Sequence, residues 1–319
     1  MVGSGISGLA CAYLLHKKHD LTIFESGEKP GGHVNTVQTE GKTGTFQVDT
    51  GFIVFNRENY PNFVRLLDLL NVPSQSTRMG FSVQSDALNL EYSGESAIGL
   101  FGHFRNLIDP KHWYMVRDIL RFHDIAKENS NPEETVDSFL ERHRFGQRFS
   151  DYFLLPLGSA LWSCSTEQFG NFPMEFVTDF LSNHQMLQAH NRPIWRVLKG
   201  GSRTYVDKLV DILGDRLKLN TPIQQVQRSN DRVKLTLPDG TEQIFDEVIL
   251  ACHADQSLRL LSSPTPEEKA LLKRFPYQAN RVTLHSDDSV IPKRKSARAS
   301  WNAYLPKKNS SDALVTYDM

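Results

Sequence analysis

Apolar residues recur along this chain with two different periods. Directly after a glycine-rich turn, Leu9, Ala10, Ala12, Leu14 and Leu15 form a helical pattern. It ends in His16, Lys17 and Lys18, where basic side chains suit the negative end of a helix. Residues 21–24 (Leu-Thr-Ile-Phe) read as a buried strand that stops at Glu25. Residues 58–71 read as a helix with Phe63, Leu66, Leu67 and Leu70 on one face, and further helices are expected near 111–128, 133–144 and 174–190. The most apolar run, residues 152–162, reads either as domain core or as the wall of a hydrophobic tunnel or weak membrane contact. Residues 233–237 alternate, Pro238-Asp239-Gly240-Thr241 turns, and 242–245 returns, which is a hairpin by period and turn chemistry. Residues 246–252 and 281–285 are expected to be strands, the first of them buried, and residues 315–319 read as part of a second sheet.

The turn before the first helix changes this from a pattern into chemistry. It reads Gly3-Ser4-Gly5-Ile6-Ser7-Gly8, with an acid, Glu25, at the end of the next strand. A strand–turn–helix–strand unit with that glycine spacing and an acid about 20 residues on is the dinucleotide fingerprint. Gly3 permits the tight turn, Gly5 lets main chain approach a pyrophosphate, and Gly8 lets the helix pack against the sheet. The helix start offers free N–H groups and a positive dipole end to phosphate. Glu25 is placed to accept from ribose hydroxyls. Only Met1 and Val2 precede Gly3, so the first strand is expected to be a stub or to belong to a chain cut at its start.

Composition narrows the class. The 319 residues hold 36 Lys+Arg against 37 Asp+Glu, a net charge of −1 that does not suit a nucleic-acid binder. The odd set of Cys11, Cys164 and Cys252 is not a disulfide framework, and no apolar stretch has the length of a membrane span. A cytoplasmic location is expected on these grounds. The eleven histidines lack metal-site spacing, so no metal is expected.

The residues after Glu25 carry a resemblance. Pro30-Gly31-Gly32-His33-Val34-Asn35-Thr36 resembles the extended fingerprint of the flavin amine oxidase-like group, with His33 where the group usually has Arg. Val48-Asp49-Thr50-Gly51-Phe52 resembles its next block, near the flavin, and Lys199 to Leu209 its second glycine turn and helix. That group includes monoamine and polyamine oxidases, protoporphyrinogen oxidase and phytoene desaturase-like enzymes. Within it, Gly-Gly-His, the block from Asp49 to Asn56 and Ala299-Ser300-Trp301-Asn302 are similar to a subgroup known only as amine oxidase-like NAD/FAD-binding proteins.

The resemblance implies an α/β chain. Its Rossmann-like FAD-binding domain, of the two-dinucleotide kind with a three-strand meander, would comprise 1–75 and 196–255. A mixed α+β substrate domain would take 76–195 and 256–319. It implies FAD held by Gly3, Ser4, Gly5, Ile6, Ser7, Gly8, Glu25, Gly31, Gly32, His33, Thr36, Asp49, Thr50, Gly51 and Phe52, with adenine met by the main chain of Val226. Arg281 falls near the position where amine oxidases keep a lysine beside flavin N5, and His285 lies further along the same expected strand. Both are candidate catalytic residues. His33 reads either as a cofactor contact or as a hydrogen-bonded loop histidine. The implied partners are a small-molecule substrate and an electron acceptor, dioxygen or another. The implied reaction is hydride transfer from an amine or hydrophobic substrate to the flavin. A desaturase or isomerase of a polyene or fatty acyl chain is a second reading. The missing C-terminal flavin segment and aromatic pair leave a third, a truncated nucleotide-binding protein without catalysis.

Overall fold

The computed structural model describes residues 1–41, 43–128, 131–188, 192–306 and 314–318. The chain divides into two compact units. The first holds Met1–Val54, Pro61–Gln75 and Val197–Thr283; the second holds Phe55–Tyr60, Ser76–Arg196 and Leu284–Met319.

In the first unit a narrow parallel ladder carries the glycine turn. Val2 bridges in parallel to Phe24 on one side and to Leu250 on the other, and Ile23–Phe24 runs parallel to Leu217–Lys218. The stub strand thus occupies the middle of the ladder, tied by Val2 N–H to the Ile249 carbonyl (2.9 Å) and Ala251 N–H to the Val2 carbonyl (2.8 Å). The expected strand over 246–252 reduces to that single bridge at Leu250, and the expected strand over 21–24 to its last two residues. With so few rungs, the ladder is held by packing. Val2, Phe24, Val226 and Leu235 are buried together.

The first helix, Ile6–Leu15, lies against a second, Arg203–Leu213, and Leu9 and Ala12 of the one and Val206 and Leu209 of the other are wholly buried. The second helix follows the expected second glycine turn, where Gly200 and Gly201 have φ of +82° and +87°. The antiparallel pair Thr36–Gly41 and Gly44–Asp49 sets Thr36 opposite Asp49. The predicted hairpin is present as the outer part of a three-strand antiparallel meander, Gln225–Arg228, Val233–Thr236 and Glu242–Phe245.

The sequence reading closed this unit at 255, whereas it runs on to Thr283. The short helices Ala254–Leu260 and Pro266–Leu272 belong to it because Leu261 bridges Val226 and Arg228 pairs with Glu268 at 2.6 Å.

The second unit is built on a four-stranded sheet in the order Leu314–Tyr317, Trp301–Leu305, Phe81–Ser85, Leu90–Ser93. The central two strands are parallel, with Ala303 opposite Val83, and the outer ones antiparallel. Strand alternation turns Val83, Tyr92 and Ala303 into an aromatic core with Met115, Phe122 and Phe139. The opposite alternation places polar residues together: Ser82 donates to Asn302 (2.7 Å), and Glu91 accepts from the N–H groups of Lys293 and Arg294 (both 3.2 Å).

The helices over the core include Pro110–Ile125, Val136–Arg142 and Met174–Asn183, shorter than the sequence reading at several ends; residues 189 and 190 of the third expected helix lie outside the described residues. The apolar run 152–162 is core. Its Leu154, Leu157 and Ala160 are buried, and a Cβ at Gly158 would stand 2.2 Å from the Phe169 ring.

Candidate functional site

The chemistry gathers around the turn at Gly3–Gly8. Gly3 has φ of +101°, and a Cβ there would meet the Ala251 carbonyl oxygen at 2.5 Å; a Cβ on Gly8 would stand 2.0 Å from the Gly3 carbonyl oxygen. Those two glycines are required by the protein's own packing. Gly5 differs. Its backbone is ordinary and extended, at φ −66° and ψ −178°, and a Cβ would come no nearer to any atom than 3.9 Å from Gly32 Cα. A Cβ at Gly5 would thus make only an ordinary van der Waals contact. The first turn of the helix has no acidic side chain and no side-chain cap, and Ile6 and Ser7 are exposed. Its leading N–H groups are therefore left for solvent or an anion.

Glu25 is fixed beside this helix start. One carboxylate oxygen accepts from Ser4 N–H (3.0 Å) and from the Ser4 hydroxyl (2.5 Å); the other accepts from Gly27 N–H (2.9 Å) and the Ser26 hydroxyl (3.3 Å). Partial burial works against the charged carboxyl. The Ser4 hydroxyl, Gly27 N–H, Ser4 N–H and Ser26 hydroxyl together outweigh it and hold its pKa below the ordinary value. A negative carboxylate held rigidly at a strand end, next to a helix N-terminus, suits a ribose diol beside a diphosphate.

The second glycine pair lies against the same turn. Gly31 N–H donates to the Ser4 carbonyl (2.9 Å), and Gly32, at φ +61°, approaches so closely that a Cβ would lie 2.9 Å from Gly5 Cα. His33 follows, exposed, its ring stacked on His253 at 5.4 Å, and His253 is stacked on Tyr277 at 4.3 Å. Nothing in the spacing of positions 33, 253 and 277 announced this column; the fold brings it together.

Thr36 and Asp49, expected at the cofactor, also bond within the protein. The Asp49 carboxylate accepts from Ser202 N–H at 2.9 Å and from the Ser202 hydroxyl at 3.1 Å, and also from the Thr36 hydroxyl. Thr36 Oγ1 in turn accepts from Arg203 N–H at 3.0 Å. The pair thus satisfies the N-terminus of the Arg203–Leu213 helix, which has no cap of its own. Tyr205 packs behind it: burial first, then the Asp49 charge, push its phenol up to about 12. Thr50 bonds Asn35, whose side-chain amide donates to its hydroxyl at 2.7 Å. A Cβ on Gly51 would fall 1.8 Å from the His33 carbonyl oxygen, and Phe52 packs edge-on to Phe63. These residues shape the loop that carries His33.

Two further expectations change. The carbonyl of Val226 accepts from Ser262 N–H (3.0 Å), and its side chain is core, so its main chain is not free to meet a base. Ile223, earlier in the same segment, is buried, and its main-chain N–H and C=O have no partner among the described residues. Thr221 N–H, in the same segment, donates to the Glu25 carbonyl at 2.8 Å. A donor and an acceptor side by side next to Glu25 fit the edge of a purine. The turn chemistry hid this, because Thr221-Pro222 interrupts the strand pattern.

Residues 281–285 form no strand. Arg281 lies in the first unit and His285 in the second, both exposed, and His285 Nδ1 accepts from Asp287 N–H (3.2 Å) in a local turn. Without strand alternation, the argument that set them on one face lapses.

The glycine cradle, the oriented Glu25 and the free Ile223 main chain fit an adenine dinucleotide. Comparison with known proteins agrees. Residues 6–314 match the family model of flavin containing amine oxidoreductases. Protoporphyrinogen oxidase 2, chloroplastic/mitochondrial, of Arabidopsis thaliana is 27% identical over 168 residues, covering 49% of this chain and 30% of that protein. A redesigned putrescine oxidase superposes with a TM-score of 0.63 at 17% identity, over 85% of this chain and 62% of that one. The fatty acid isomerase of P. acnes does so with a TM-score of 0.59 at 15% identity and the same coverage. At such identities the two structures show the fold alone, and the chain spans less of each of these proteins than they span of it. The match over 6–314 nevertheless takes in both units, and the chain belongs to the flavin-containing amine oxidoreductase family, whose cofactor, FAD, is the group this cradle fits.

Proposed function

We propose that this chain is the FAD-binding and substrate-domain portion of an oxidoreductase that removes two electrons from a small organic molecule, an amine or an apolar compound, and passes them to dioxygen or another acceptor. FAD, when bound, supplies the two-electron acceptor. The chain's own residues bind and orient. The N–H groups at Ile6 and Ser7 neutralise diphosphate, Gly5 and Gly32 let it reach main chain, and Glu25 accepts from ribose hydroxyls. Ile223 main chain takes the adenine edge, and His33, beside Gly32, lies next to the phosphates. The observation that carries the reading is Glu25, whose four hydrogen bonds fix its carboxylate at a strand end beside an uncapped helix start.

The apolar stretch that favoured a lipid tunnel is packed core, so it lends no support to a polyene or fatty acyl substrate. The test is the visible spectrum of the purified chain with and without added FAD, followed by oxygen uptake and dye reduction with a panel of amines and of unsaturated acids. A flavin spectrum that Glu25→Ala abolishes supports the reading. A folded chain that leaves excess FAD free in solution overturns it.

A further inference from the structure

The second unit exposes a patch of large apolar side chains unlike the rest of its surface. It is built from three consecutive helices, Ala97–Phe101, Phe104–Ile108 and Pro110–Ile125. Ile98 and Phe104 are each 71% exposed, Ile108 62% and Trp113 50%, with Leu107 and Tyr114 also exposed. They form one surface. The Trp113 ring lies 4.5 Å from Phe101 of the first of these helices, and its indole N–H donates to the Leu107 carbonyl of the second at 2.8 Å. On the long helix, Trp113, Tyr114, Arg117 and Leu120 share the outward face, while His112, Met115, Asp118 and Phe122 point into the protein.

The exposed charge around this patch is mostly basic. Arg105 and Lys111 are exposed within it, and Arg117 is exposed while pairing with Asp118 at 3.2 Å. The turn Lys295–Ala297 packs on the first of the three helices and brings exposed Lys293 and Lys295 to its border. The acids nearest by are occupied. Asp109 pairs with Arg148 at 2.7 Å, Glu91 with Arg294 at 3.2 Å, and Asp118 with Arg121 at 3.1 Å. The exposed acids are Glu95, just before the first helix, and Asp124, near the end of the third. Buried bases and satisfied acids do not attract a partner; free bases around exposed Phe, Ile, Trp and Tyr do.

We propose that this surface docks on the face of an anionic lipid bilayer. Apolar side chains enter the acyl boundary, Trp113 and Tyr114 sit at headgroup level, and the surrounding Lys and Arg meet lipid phosphates. No described helix is long and apolar enough to cross a membrane, so the contact is peripheral. It lies on a different part of the chain from the run 152–162 that the sequence offered for this role. It does not depend on the cofactor or on the reaction proposed above.

The test is flotation of the full chain with phosphatidylcholine vesicles with and without phosphatidylglycerol, at low and high salt, and quenching of tryptophan emission by brominated lipid. Of the four tryptophans, Trp113 is the exposed one, so it reports contact. The expected result is flotation that requires phosphatidylglycerol, weakens with salt, and is accompanied by quenching that Trp113→Phe removes. The double variant Phe104→Ser/Ile108→Ser should bind at least tenfold more weakly with an unchanged melting temperature. Lys111→Glu/Lys293→Glu should lose the lipid-charge dependence. The proposal fails if the chain ignores vesicles at low salt, or if the apolar variant floats like the parent. It also fails if the chain dimerises without lipid and Phe104→Ser/Ile108→Ser makes it monomeric, which would give the patch to a second copy.

Discussion

Replacing single glycines of the turn by alanine separates what the fold needs from what the cofactor needs. At Gly5 the backbone already has a conformation any residue adopts, and the new Cβ would be 3.9 Å from its nearest neighbour. The stability loss is then only the weaker capping preference of Ala, about 0.5–1 kcal/mol. In a chain of this size that lowers the melting temperature by only about 1–2 °C. The same methyl group projects into the space where phosphate oxygens approach main chain, so FAD affinity should fall about 100-fold, roughly 2.7 kcal/mol.

At Gly8 the balance reverses. The Cβ would sit 2.0 Å from the Gly3 carbonyl oxygen, and relief requires the helix to move about 1 Å off the turn. Overpacking of this kind costs about 1–3 kcal/mol or more, so Gly8→Ala should melt well below Gly5→Ala. Thermal melts of the cofactor-free variants and quenching of flavin fluorescence on titration supply the two numbers. Wild-type FAD affinity in Gly5→Ala would refute the phosphate approach. A wild-type melting temperature in Gly8→Ala would refute the packing argument.

Other outcomes follow from the same structure. Asp49→Ala strands Ser202 N–H and the Thr36 hydroxyl at an uncapped helix start, and should lower stability by about 2–4 kcal/mol in urea unfolding. A loss under about 1 kcal/mol would mean that water takes over those groups. Glu25 titrates below its ordinary value of 4.5, so its contribution to stability is complete above that pH and fades as pH falls through the folded value. Glu25→Gln should therefore flatten the acid loss of stability below about pH 4.5, and an unchanged acid limb in pH-dependent melts would contradict this. Gly158→Val drives carbon into the Phe169 ring, 2.2 Å from the Cβ position, and should cost about 3 kcal/mol while leaving FAD affinity intact. A stable Gly158→Val chain would show that the 152–162 run has room to spare.

The part of the site closest together along the chain was legible without coordinates. Gly3, Gly5, Gly8 and Glu25 fall within one strand–turn–helix–strand unit, and local geometry alone sets their spacing. The hairpin at 233–245 was equally readable, because period and turn residues are adjacent in sequence. The strand lengths were not. A run such as 246–252 has the composition of a strand, yet one residue of it pairs, at the bridge from Leu250 to Val2.

Thr36 and Asp49 were read from the sequence as cofactor contacts, and in the fold they also bond the start of the Arg203–Leu213 helix. Their partner, the start of the helix at Arg203, is more than 150 positions away, and only folding shows that this helix lacks a cap of its own. That the Val226 carbonyl is taken by Ser262 N–H, while the Ile223 main chain is left unpaired among the described residues, was equally out of reach, because it depends on whether Ser262 comes back to the strand.

What the sequence by itself determined is the class of ligand. A tight glycine turn running into a helix and followed by a strand-end acid can do little else than hold a dinucleotide, and those features depend on neighbours a few residues apart. What only the tertiary structure decided is which side chains remain free once the protein has satisfied itself. Asp49, Thr36 and Val226 bond within the fold; Gly5, the Ile223 main chain and the His33–His253–Tyr277 column remain available. The physical reason is that availability is a difference between what a group offers and what its folded surroundings take. Those surroundings are assembled from segments up to 250 residues apart, such as Val2 and Leu250.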